Sequence, residues 1–169
     1  DASLKSNKST YIRLTGGANN PIINLQDYNF EIGKPVEIIQ GKDVTIFSTG
    51  AITNEAIRAA EILNKSNVSC SVVNVHTLKP VNIKNFENYL DNKKLLVTVE
   101  EHNTTGGLGS TISDLMSQKS NLSKLIKFGV NDNYNFHGDY EYLKKSHGLD
   151  GKNIADKILL NLKKTWQYY

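Results

Sequence analysis

From Pro35 onward, short apolar runs alternate with stretches whose apolar residues recur at three- and four-residue spacing. This alternation constrains the chain more than any other feature. A strand followed by a crossover helix pairs parallel to the next strand, and a parallel sheet needs helices over both faces. The strand-like runs are 36–39, 44–48 (VTIFS), 68–75 (VSCSVVNV), 95–99 (LLVTV) and 125–130. Between them, Ile52, Ala56, Ala59 and Leu63 predict one helix, Phe86 and Leu90 a shorter one over 84–90, and Leu108, Ile112 and Leu115 a third over 106–117. A last helix starts at an Asp150 cap and carries Ile154, Ile158 and Leu162, with Ala155 and Leu159 beside them. The prediction is an open three-layer α/β/α domain over 35–169.

The first 30 residues do not form a complete folding unit of their own. The run 10–14 (TYIRL) has strand composition and stops at the turn-rich stretch 15–21. A lone strand has no edge to pair with, so its sheet is expected elsewhere, and 21–34 reads as a surface linker. The first residue is Asp1 rather than Met, which points to a segment of something larger.

Composition excludes several function classes. The net charge of +3 comes from 20 basic and 17 acidic residues, and basic residues run no longer than pairs such as Lys93-Lys94. Nucleic-acid binders concentrate such charge on one face, so no nucleic-acid partner is expected. No apolar stretch is long enough for a membrane span and no leader opens the chain, so a soluble cytoplasmic protein with no membrane partner is the default. The single Cys70 excludes an internal disulfide and a cysteine-based zinc site. No metal site made by this chain alone is expected, because His76, His137 and His147 have no ligand spacing.

In such sheets ligands sit beyond the carboxyl ends of the strands. Three segments fall there: Ser48-Thr49-Gly50, 76–80, and Glu100-Glu101-His102 followed by Gly106-Gly107-Leu108-Gly109. Gly107 and Gly109 fit two positions of a dinucleotide fingerprint, but the third is Ile112. The plainer reading makes Gly106 and Gly107 a tight turn and Gly109 a point of close helix approach. Glu100, Glu101 and His102 admit two readings: a general base with a proton-carrying imidazole, or a carboxylate partnering backbone amides beside a packing histidine. Alternation along an extended chain puts Glu100 and Glu101 on opposite faces, which argues against a paired dyad. Arg13, before a Gly-Gly loop, presents a planar fork for a phosphate or carboxylate, or closes a domain–domain ion pair.

The run LLVTVEEHNTTGGLGSTISDL at 95–115 resembles the C-terminal domain of thiamine-diphosphate-dependent transketolases. Segments 42–63, 72–82 and 126–158 resemble the same domain in the same order, and TYIRLTGG resembles the last strand of the preceding pyrimidine-binding domain. The resemblance implies a domain division at 34/35 and a five-stranded, mostly parallel sheet whose first strand, near 36–39, is antiparallel. It implies a parent enzyme that moves a two-carbon ketol unit between sugar phosphates. Thiamine diphosphate and Mg²⁺ would be held by other domains or a partner subunit, none by this fragment. This piece, inactive alone, would stabilise a homodimer and shape the substrate channel. Arg13 matches an arginine that grips the sugar phosphate; Glu101, His102, Gly106, Gly107 and Gly109 match interface or channel positions. Deoxyxylulose-phosphate synthases and 2-oxo-acid dehydrogenase β subunits carry the same domain. The synthases usually have a second arginine where this chain has Gly16, and the β subunits usually lack a histidine after the paired glutamates. A rival from another class is a stand-alone small-anion or nucleotide-binding module.

Overall fold

The computed structural model describes residues 2–14, 16, 21–23, 28–120, 123–133 and 137–166. Five strands form one sheet: β1 (Val36–Ile39), β2 (Val44–Ser48), β3 (Cys70–Asn74), β4 (Leu95–Asn103) and β5 (Leu125–Val130). Their order is β1-β3-β2-β4-β5. β1 runs antiparallel to β3, and the other neighbours are parallel, with Val44 opposite both Cys70 and Leu95. β2 and β3 are buried along their whole length, as central strands covered on both faces must be.

The helices among the described residues are α1 (Thr53–Lys65), α2 (Glu87–Leu90), α3 (Leu108–Ser117), α4 (Tyr140–Ser146) and α5 (Gly151–Trp166). On one face Val44, Ile46, Val72, Val97 and Val99 pack against Ala56, Ala59 and Leu63 of α1 and Ile154, Ile158 and Leu162 of α5. On the other, Phe47, Val73 and Leu96 meet Phe86, Leu90, Leu108, Ile112 and Leu115. The alternation of strand side chains sorts them into these two layers, so the three-layer α/β/α architecture with its antiparallel first strand stands as expected.

Two local differences have physical causes. The helix expected over 84–90 is a 3-10 turn, Ile83–Asn85, followed by the single turn of α2; Asn82 caps the first by accepting from the Lys84 amide. β4 runs four residues past Val99, because its tail keeps β5 as a neighbour, with a register irregularity between Val99 and Asn103. The 10–14 run lies in no strand of this chain, and Tyr11, Ile12 and Leu14 are exposed. Of the turn-rich stretch, residues 15 and 17–20 lie outside the described residues.

The linker is tied to the domain at its end. Phe30 stacks on the His76 ring at 4.3 Å between centroids. The Gly33 carbonyl accepts from Asn85 Nδ2 at 3.2 Å. Gly33 has φ +83, and a side chain there would press on the Pro80 carbonyl, so glycine is needed on both counts. No helix among the described residues is long and apolar enough to cross a membrane.

Candidate functional site

The tail of β4 carries three ionisable residues in succession, and alternation sends the first two into different layers. Glu100 is fully buried on the α3 side. Its Oε2 accepts from the Leu108 amide at 2.7 Å and its Oε1 from the Gly109 amide at 2.9 Å. These are first-turn amides of α3, which have no partner within the helix and carry the positive end of its dipole. The glycine-rich helix start therefore holds an anion already, and the anion is the protein's own. A Cβ on Gly107 would overlap Glu100 Oε2 and the His102 ring, and one on Gly109 would sit 2.9 Å from Glu100 Oε1 and 2.8 Å from Lys127 Cδ. Both glycines are required by a carboxylate drawn against the backbone, and Gly106, at φ +81, makes the turn that brings it there.

His102 completes this cluster. Its Nδ1 lies 3.2 Å from Glu100 Oε2 and 3.3 Å from the Asn103 carbonyl oxygen. Both neighbours can only accept, so Nδ1 bears the proton. Of the two readings open for 100–102, the geometry matches a carboxylate that partners backbone amides. Gly109 gives its close approach within the domain, toward Glu100 and Lys127.

Glu101 turns to the other layer and accepts a hydrogen bond from the Tyr140 hydroxyl of α4. Burial, then the bond to Glu101, push the Tyr140 hydroxyl above the usual phenol range. Next along α4, the buried Lys144 lies 4.7 Å from the Tyr140 ring centroid and pairs with Glu141 and Glu55, each at 2.8 Å. Burial pulls its ammonium down, but the bonds to Glu141 and Glu55 outweigh that and raise it. Glu55 is the hub. Its Oε1 takes Lys144 and, at 2.9 Å, Arg58, while its Oε2 accepts from the Gly151 amide at 2.8 Å. One carboxylate on α1 thus fastens α4 and the first turn of α5. Sequence reasoning missed it, although a signal was there: Glu55 falls between Ile52 and Ala59 on the apolar stripe of its helix.

Arg13 is exposed. Cys70 is buried, which pushes its thiol up to about 12 and leaves it unreactive. Among the described residues no three or more His, Cys, Asp or Glu side chains gather in a way that fits a metal ion. With Glu100 on the Leu108 and Gly109 amides, the start of α3 does not offer them to an external anion.

Comparison with known proteins places this geometry. A family model described as the transketolase C-terminal domain matches residues 33–154. A putative transketolase C-terminal section from Methanocaldococcus jannaschii is 36% identical over 141 residues, covering 83% of this chain and 44% of that protein. A 1-deoxy-D-xylulose-5-phosphate synthase from Caldanaerobacter subterraneus subsp. tengcongensis is 34% identical over 135 residues, covering 80% of this chain and 22% of the synthase. Among solved structures, a split gene transketolase described as an inactive beta4 tetramer superposes with a TM-score of 0.73 at 30% identity, over 85% of this chain and 46% of that one. The chain spans less than half the length of each of these three proteins. Its sheet order, its antiparallel first strand and the matched span agree: the chain belongs to the transketolase C-terminal domain family.

Proposed function

We propose that this chain works as the C-terminal part of a thiamine-diphosphate-dependent transketolase that moves a two-carbon ketol unit between sugar phosphates. The observation that carries the reading is the 36% identity to a transketolase C-terminal section across most of the chain. Thiamine diphosphate and Mg²⁺ then reside on parts of the parent outside this chain, consistent with a helix start already filled by Glu100. The chain's own work is structural: it stabilises the assembly with the remaining domains or a partner subunit, as a cytoplasmic homodimer, and is inactive alone. Residues 1–34 supply the last strand of the preceding domain and its linker, which accounts for the exposure of Tyr11, Ile12 and Leu14. Arg13 on that strand grips the substrate phosphate, while Glu101, His102 and Gly106 face the interface or channel, with Gly107 and Gly109 shaping the turn behind them.

Calorimetric titration of this chain with thiamine diphosphate and Mg²⁺ should give no heat beyond dilution; saturable binding would overturn the division of labour. In the reassembled parent, Arg13→Ala should raise KM for a phosphorylated ketose by about 10- to 100-fold, the worth of one charge-assisted hydrogen bond. Unchanged KM would remove Arg13 from the phosphate site. The synthase relative supports a second reading, deoxyxylulose-phosphate synthesis. Assaying the reassembled parent with pyruvate and glyceraldehyde 3-phosphate separates the two by product.

A further inference from the structure

The chain contains one Asp-Gly pair, Asp150-Gly151, and no Asn-Gly pair. Asp-Gly is a chemically fragile sequence. The glycine amide nitrogen attacks the aspartate side-chain carboxyl carbon, a C–N bond forms and water leaves, giving a succinimide. Water then opens the ring at either carbonyl. One opening restores aspartate; the other leaves isoaspartate, with the backbone running through the side-chain carbon. The elements of water lost in the first step return in the second, and no other reactant is consumed.

Both reacting groups are engaged here. Gly151 is buried and its N–H donates to Glu55 Oε2 at 2.8 Å. Asp150 Oδ1 accepts from the Asn153 amide at 3.2 Å, its Oδ2 accepts from the Asn153 side chain, and its carbonyl accepts from the Ile154 amide at 3.0 Å. Behind Gly151 the α1 backbone leaves no slack, since a Cβ there would lie 2.6 Å from Arg58 Cβ and 3.0 Å from the Glu55 carbonyl oxygen. To attack, the nitrogen must leave Glu55 and the carboxyl must swing off the α5 cap.

We infer that Asp150-Gly151 is a dormant isomerisation site, kept inert by the Glu55 carboxylate that holds the Gly151 amide. The bonds from Asn153 and the local backbone, outweighing burial, also keep the Asp150 carboxyl below its usual range and therefore ionised, the less electrophilic form. Isomerisation would lengthen the backbone at the α5 cap and misplace the amide that Glu55 binds, so the damage would not anneal. This inference is independent of the transketolase reading.

The test is to incubate the folded chain, its Glu55→Ala and Lys144→Met variants, and a synthetic peptide spanning 146–155 at neutral pH and 37 °C. Isoaspartate at 150 is scored by peptide mapping and by methyl transfer from a protein isoaspartyl methyltransferase. The folded chain should isomerise about tenfold or more slowly than the peptide, because reaction waits on local opening. Glu55→Ala should approach the peptide rate, and Lys144→Met, which leaves the Gly151 bond in place, should stay near wild type. If Glu55→Ala does not fold, hydrogen exchange at the wild-type Gly151 amide decides, with strong protection expected. Equal rates in chain and peptide, a wild-type rate in folded Glu55→Ala, or an unprotected Gly151 amide would each overturn the inference.

Discussion

A carboxylate with no exposed surface persists only where donors surround it, and Glu100 finds two in the Leu108 and Gly109 amides, with the His102 ring nitrogen 3.2 Å away. Glu100→Ala leaves the Leu108 and Gly109 amides unpaired and should cost about 3 kcal/mol or more in urea unfolding. His102→Asn keeps a donor near the Nδ1 position and should cost less than about 1 kcal/mol. Gly107→Ala forces a methyl into the space Glu100 and His102 share, and about 1–3 kcal/mol is expected by the same measurement. A Gly107→Ala protein as stable as wild type would mean that Glu100 sits elsewhere. At this scale the sequence was half legible: alternation separated Glu100 from Glu101, and a glutamate bonded to backbone amides was one of its open readings. That those amides belong to a helix eight residues on depends on how tightly Gly106 and Gly107 turn.

Among the elements, α4 has little apolar anchorage of its own and is held by polar contacts at Tyr140 and Lys144. Both groups have folded pKa values raised above the ordinary values of 10.0 for tyrosine and 10.5 for lysine. A raised value means that the stabilisation is fully present below the unfolded pKa and is lost as pH rises through the folded one. Wild type should therefore lose stability progressively above about pH 10, seen in urea midpoints. Tyr140→Phe and Lys144→Met should each flatten that loss, and parallel curves for all three proteins would refute the assignment. This lock was illegible in the sequence because Glu55 meets Lys144 and Gly151 across 89 and 96 residues. The strands and major helices were legible because periods of two and 3.6 are local properties. The short helix expected over 84–90 was less so, since two apolar residues four apart do not distinguish one α-turn from a 3-10 turn.

For the whole molecule, the division between arm and domain governs stability. Leu4, Tyr11 and Leu14 are 86%, 90% and 83% exposed, so the arm brings almost no apolar burial to the fold. Removing residues 1–22 should shift the unfolding free energy by less than about 0.5 kcal/mol, while abolishing assembly with the rest of the parent. A large loss of stability would show that the arm packs on this domain after all. β4 also limits how such a chain can change in length. Its tail delivers one carboxylate to α3 and the next to α4, so a single residue inserted between Leu95 and Glu100 would exchange their faces, aiming Glu101's neighbours at the wrong layer and stripping the α3 amides of their anion. Insertions and deletions in this family should accordingly gather in the exposed 131–133 stretch after β5 and avoid β4, whose residue count is as binding as its composition.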